Sequence, residues 1–300
     1  MKGTIAMNNH PPAARAAHGP VLVLASSSNN DAVLRFAATE AAIRDVPVEI
    51  LAPSQLLPSL QGALSPADLT VGSDRYQSAG DSPLPTNSLP EGCPPIPVST
   101  SQLIGATADD LRDRAPSASM LVLNSSDIAL DSRSDAHGLG QLADLNCPIA
   151  VVPDTNDGTR RRNQIAVGVD DTPASCRAAE YAARESTLRG ASLLVFHADK
   201  YANLIEIVTG GRTGPLTAIS ERQHSIAARQ AAALHNKYPR LTITSTDSNH
   251  TAANEVLRIA LRFDAIILGR WKHSLLPDGV DATPMSRLAH AVQCPLISVN

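Results

Sequence analysis

The chain has 300 residues, of which 43% are apolar, 18% charged and only 3% aromatic. That is length for two ordinary domains or one large one, with enough apolar surface to exclude a chain disordered throughout. A net charge of −4 gives no electrostatic footprint for nucleic acid, and no run of eighteen apolar residues is present to span a membrane.

Residues 1–19 are polar and Ala/Pro-rich and read as a flexible tail. They lack the apolar stretch of a signal peptide, so a cytoplasmic protein is expected. "VLVLA" (21–25) reads as a buried strand, and "FAATEAAIRDVPVEIL" (36–51) as a helix followed by a second strand. Residues 64–94 carry many Pro, Ser and Gly and read as a long surface loop. Order returns at "IPVST" (96–100), with a helix expected over 101–114 and a strand at "SMLVLN" (119–124). "NCPIAVVPD" (146–154) closes this half, and 154–163 reads as a linker whose Arg160-Arg161-Arg162 run is solvated.

"IAVGVD" (165–170) then opens a second series. Thr172 is placed to cap a helix, Pro173 suits its first position, and Gly190 suits its end. "SLLVFHA" (192–198) is a strand, 216–236 a long Ala-rich helix, and "LTITST" (241–246) a strand. A helix over 251–263, a strand at 264–269, a helix over 284–292 and a strand at 295–299 complete the chain. Strands alternating with helices predict parallel sheets with helices on both faces.

The chain is written twice. "FAATEAAIRDVPVEIL" (36–51) aligns with "YAARESTLRGASLLVF" (181–196), 145 positions on, and "NCPIAVVPD" aligns with "QCPLISVN" (293–300). Few positions are identical, but the elements recur in the same order. The spacing of Cys93, Cys147, Cys176 and Cys294 suggests neither a zinc site nor a disulfide framework; Cys147 and Cys294 read as buried small hydrophobes. His197 and His290 read as packing residues, and Arg270 as a solvated loop charge. No nucleophile elbow, P-loop or zinc-protease motif is present, so an enzyme is not expected.

Three stretches together resemble the universal stress protein family: "VGVDDTPAS" (167–175), "LLVFHA" (193–198), and "AIILGR" (265–270) followed by "HAVQCPLISV" (290–299). The resemblance implies two tandem open-twisted parallel five-stranded sheets with helices on both faces, an adenine nucleotide alpha hydrolase-like α/β fold, over residues 20–153 and 164–300. Many members of that family bind ATP through Gly-x2-Gly-x9-Gly-Ser/Thr after the fourth strand. Gly269 stands at the first glycine, Lys272 at the second, Ala282 at the third and Thr283 at the hydroxyl. Asp170 stands near the nucleoside side and Ala198 near where adenine packs. Thr283, ahead of Pro284, retains the helix-start hydroxyl that favours an anion. Lys272 either blocks the phosphate or neutralises it. In the first half Ala25 replaces the Asp170 position and Asn124 the Gly269 position, and acidic residues in 125–136 would repel a triphosphate.

The resemblance therefore implies a non-catalytic stress-response protein, with weakened ATP binding confined to the second half. Two alternatives stay open: a nucleotide-free interaction protein, and a slow adenine-nucleotide hydrolase. The two halves are expected to pair as an internal pseudo-dimer through 149–152 and 295–299, because unpaired edges there invite association; a homodimer beyond that is left open.

Overall fold

The computed structural model describes residues 19–25, 30–53, 56–57, 96–102, 108–128, 142, 145–156, 162–198, 226–270 and 284–300. Residues 1–18 of the expected tail, the 64–94 loop, residues 157–161 of the linker and the first part of the 216–236 helix lie outside them.

In the first half, strands β1 (Val21–Leu24), β2 (Val48–Ala52), β3 (Val98–Gln102), β4 (Met120–Asn124) and β5 (Ile149–Val152) alternate with helices α1 (Asp31–Arg44) and α2 (Ala108–Arg114). In the second, β6 (Gln164–Gly168), β7 (Ser192–Ala198), β8 (Ile243–Ser248), β9 (Ala265–Gly269) and β10 (Leu296–Val299) alternate with α3 (Pro173–Arg189), α4 (Ile226–Lys237), α5 (Ala252–Ile259) and α6 (Pro284–Ala291). One correction concerns residues 101 and 102, expected to open a helix. They extend β3 instead, because the parallel register with β2 runs on to Ala52 and Gln102.

The strands form one sheet in the order β3-β2-β1-β4-β5-β10-β9-β6-β7-β8. Read inward from either end, each half has the same order, third-second-first-fourth-fifth. All pairings within a half are parallel. The halves meet where β10 runs antiparallel to β5, with Ile297 opposite Ala150. The five-stranded units implied by the sequence are thus continuous, and each covers the other's inner edge.

Both faces of the sheet are buried along the inner strands, as parallel sheets require, and the outer strands β3 and β8 are only partly covered. On one face a single apolar cluster runs through both halves, from Val23 and Ile50 across Ala150 and Ile297 to Val167 and Val195, under α1, α3 and α4. On the other face there are two clusters, one per half. Helix α6 spans them: Ala289 belongs to the first half's cluster and Leu288 to the second's. His290 on the same helix places Nε2 2.8 Å from the Ile128 carbonyl of the first half.

Helices α1 and α3 lie side by side over the junction, and their contact is ionic. Arg44 donates to Glu40 on its own helix, to Glu185 on α3 (2.5 Å) and to the Tyr181 hydroxyl (2.9 Å). Arg189 donates to Glu185 on its own helix (2.5 Å) and to Glu40 on α1, and its guanidinium lies 5.9 Å from the Phe36 ring centre. Glu40 and Glu185 are buried. The pattern has two-fold character: Phe36, Glu40 and Arg44 stand 145 positions before Tyr181, Glu185 and Arg189.

Glu40→Ala would leave both arginines short of a carboxylate inside the junction. Removing one member of a buried pair costs about 3–5 kcal/mol, so a large drop in the urea unfolding midpoint is expected. Arg184→Ala, which breaks the exposed pair with Glu180, should change stability by less than about 1 kcal/mol. Equal effects would contradict the burial of the quartet.

Candidate functional site

Strands β6 and β9 are parallel neighbours, with Val167 beside Ile267 and Gly168 beside Leu268. They are the first and fourth strands of the second half, where the strand order reverses. Helices leave an open sheet on opposite sides at that point, and a crevice forms beyond the carboxyl ends. Asp170 and Gly269 therefore come to the same edge.

Local sequence builds the Asp170 side. The Thr172 side chain caps α3 by accepting from the Ser175 amide (3.2 Å), Pro173 takes the first position, and Gly190 ends the helix at φ 63°. Asp170 Oδ1 accepts from the Thr172 amide (3.1 Å) and hydroxyl (2.6 Å). It holds the cap in place and keeps Oδ2 without a hydrogen-bond partner among the described residues. The next residue, Asp171, adopts φ 66° and pairs with Arg229 at 3.1 Å. The two adjacent carboxylates thus have separate partners.

Gly269 has a packing reason to be glycine. A Cβ there would lie 2.8 Å from Ala174 C and Ser175 N and 3.0 Å from Ala174 O, all backbone of the first turn of α3. Close approach of strand to helix needs the missing side chain. Ala198 ends β7 beside Ser248 of β8. Its neighbour His197 is buried and holds Nδ1 2.7 Å from the Val169 carbonyl, between β6 and β7.

Lys272, Ala282 and Thr283 lie outside the described residues, and α6 begins directly after Thr283. The structure brings Asp170, Ala198 and Gly269 to one edge of the sheet. That edge therefore presents one open carboxylate oxygen, a small residue beside it and a helix N-terminus nearby. The resemblance implies a phosphate end on Gly269, Lys272, Ala282 and Thr283.

The residue after Gly269 departs from expectation. Arg270 is buried, not solvated. Its guanidinium donates to the carbonyls of Leu145 and Cys147 in the first half, at 2.7 Å for Cys147, and to the Ser298 hydroxyl and carbonyl, both at 3.2 Å. Its backbone amide bonds the Val299 carbonyl at 2.6 Å. The crevice edge is therefore anchored across the junction. Burial pushes the Cys147 thiol up to about 11 and the Cys294 thiol up to about 12, so both are unreactive near neutral pH.

The equivalent edge of the first half differs. Asn124 ends β4 as Gly269 ends β9, and it is fully buried. Its Nδ2 donates to Asp154, its Oδ1 accepts from the Ser126 amide (2.9 Å), and its own amide donates to Asp127 (3.1 Å). Ala25, in the Asp170 position, is buried and has no side-chain acceptor. Asn124 is thus bonded to two carboxylates at this strand end.

Gly269→Ala should destabilise the ligand-free protein by about 1–3 kcal/mol, the usual cost of overpacking, measured by urea unfolding. An unchanged midpoint would mean that α3 does not rest on this strand end.

Residues 161–300 match the model of the Universal stress protein family. A crystal structure assigned as a universal stress protein from Pseudomonas aeruginosa UCBPP-PA14 is similar over 95% of this chain and 94% of that one, at 13% identity and a TM-score of 0.56. A universal stress protein from Archaeoglobus fulgidus DSM 4304 is similar over 93% of this chain and 98% of that one, at 11% identity and a TM-score of 0.55. Identities this low carry the fold alone. Among the described residues no helix is long and apolar enough to cross a membrane. The match to the universal stress protein family covers the second half of the chain, and the first half repeats that half's strand order.

Proposed function

We propose that this is a non-catalytic stress-response protein that binds one adenine nucleotide per chain, weakly, at the β6/β9 crevice, and none in the first half. The observation that carries this reading is the difference between two equivalent strand ends. The second edge ends on Gly269, which has no side chain, beside Asp170, whose Oδ2 takes no hydrogen bond among the described residues, whereas Asn124 ends the first and is bracketed by Asp127 and Asp154. Asp170 Oδ2 would take the nucleoside hydroxyls, with Ala198 beside the base. Thr283 would serve the phosphates at the start of α6.

Weak binding follows from the departures in the glycine motif. Lys272 and Ala282 each add a Cβ where a phosphate approaches backbone. The reading as non-catalytic is supported by the sequence, which carries no nucleophile elbow, P-loop or zinc-protease motif.

Calorimetric titration of the full chain with ATP and Mg²⁺ tests this reading. We expect one site per chain, weakening at least several-fold in Asp170→Ala, with no phosphate released above background. No binding would favour a nucleotide-free interaction protein. Two sites would contradict the assignment of none to the first half. Phosphate release lost in Asp170→Ala would favour a hydrolase.

A further inference from the structure

At the opposite end of the second half's strands lies a cavity of about 260 Å³. It sits between the outer strands β7 and β8 and helix α5 with its 3-10 continuation Ala260–Arg262. Its walls include Gln164 and Ser192, the first residues of β6 and β7, so it is separate from the crevice at the carboxyl ends. Leu194, Ile259 and Phe263 give it an apolar floor. Thr244 and Thr246 line it from β8, in register with Leu194 and Phe196.

Two arginines complete the rim. Arg258 is already engaged by the buried Glu255, through Nε at 3.0 Å and Nη2 at 2.5 Å. Arg262 has neither a hydrogen bond nor an ion pair among the described residues, and the Thr244 and Thr246 hydroxyls are likewise unbonded there. A cation and two hydroxyls thus share the lining with an apolar floor.

The first half shows what such a groove holds. Glu49 on β2 stands 145 positions before Leu194, and Ser101 on β3 stands 145 before Thr246. The registers match as well: Glu49 lies opposite Ser99 as Leu194 lies opposite Thr244. There the Glu49 carboxylate accepts from the Ser101 hydroxyl (2.8 Å) and from Arg114 at the end of α2. An internal carboxylate is held between a strand hydroxyl and a helix-end arginine. In the second half leucine replaces that glutamate, while the strand hydroxyls and arginines at the helix end remain.

We propose that this cavity binds a small organic carboxylate with an apolar body. The carboxylate takes the place that Glu49 fills in the first half, between Arg262 and the threonine hydroxyls, and the body lies on Leu194, Ile259 and Phe263. Arginine recognises carboxylate by charge-assisted hydrogen bonds. The volume falls below the roughly 300–1,000 Å³ of pockets for drug-sized ligands, so the body is a single ring or a short chain.

Calorimetric titration of the full chain with phenylacetate, and with phenylacetamide as its uncharged counterpart, tests the assignment. We expect saturable binding of the carboxylate alone, weakened about tenfold or more by Arg262→Gln. Leu194→Glu, which copies the first half, should abolish binding by supplying the carboxylate internally. If Leu194→Glu does not fold, Arg262→Gln, an exposed substitution, decides alone. Equal binding of the amide, no saturation by about 10 mM, or an affinity unchanged by Arg262→Gln would overturn the proposal.

Discussion

The two-fold ionic quartet over the junction is the constraint on which the rest of the structure depends. Each of α1 and α3 carries a Glu and an Arg four residues apart, and each pair is only half satisfied on its own helix. The remaining bonds cross between helices, Arg44 to Glu185 and Arg189 to Glu40. Burial pushes the Glu185 carboxyl up while the Arg44 guanidinium pulls it down. The group balances two positive and two negative charges, so the junction is neutral although no single member could stay there alone. Such a contact favours one relative placement of the helices, and with it the antiparallel pairing of β5 and β10 below.

That placement reaches the crevice through Arg270. The residue follows Gly269 directly, yet its guanidinium ends among carbonyls of the first half and of β10. Strand β10 lies between β9 and β5, so the edge that carries Gly269 is tied sideways to the partner half. The first half thus supplies, through the Leu145 and Cys147 carbonyls, the surface on which the second half's edge is held. Comparison of the halves explains the groove at the other end of the strands. Where one half keeps Glu49 internally, the other leaves arginine and hydroxyls facing open space.

Much of this was legible in the sequence. Alternating apolar runs and helix signals located the strands, and the local rules for Thr172, Pro173 and Gly190 act as written in the structure. The repeat of 145 positions contained the quartet in plain view, since Glu40/Glu185 and Arg44/Arg189 are among its few identities. A Glu–Arg pair four apart on a helix ordinarily marks a solvent-exposed face. Only the sheet order turns that face inward. Arg270 misled for a related reason: a charge after a strand-end glycine looks solvated until β10 and the 145–148 segment close around it. Spacing puts Gly269 at the first glycine of the motif but does not show its contact with the first turn of α3. Asp170 was legible as a residue but not in its division of labour, with one oxygen holding a cap and the other open.

The most direct measurement is a double-mutant cycle on Arg44 and Glu185, one residue from each half, in urea unfolding of the full chain. The account predicts Arg44→Met and Glu185→Gln to be coupled by about 1–3 kcal/mol, with both halves unfolding in one transition. A coupling near zero, or two separate transitions with only one shifted by each substitution, would contradict the claim that a buried ionic contact unites the halves.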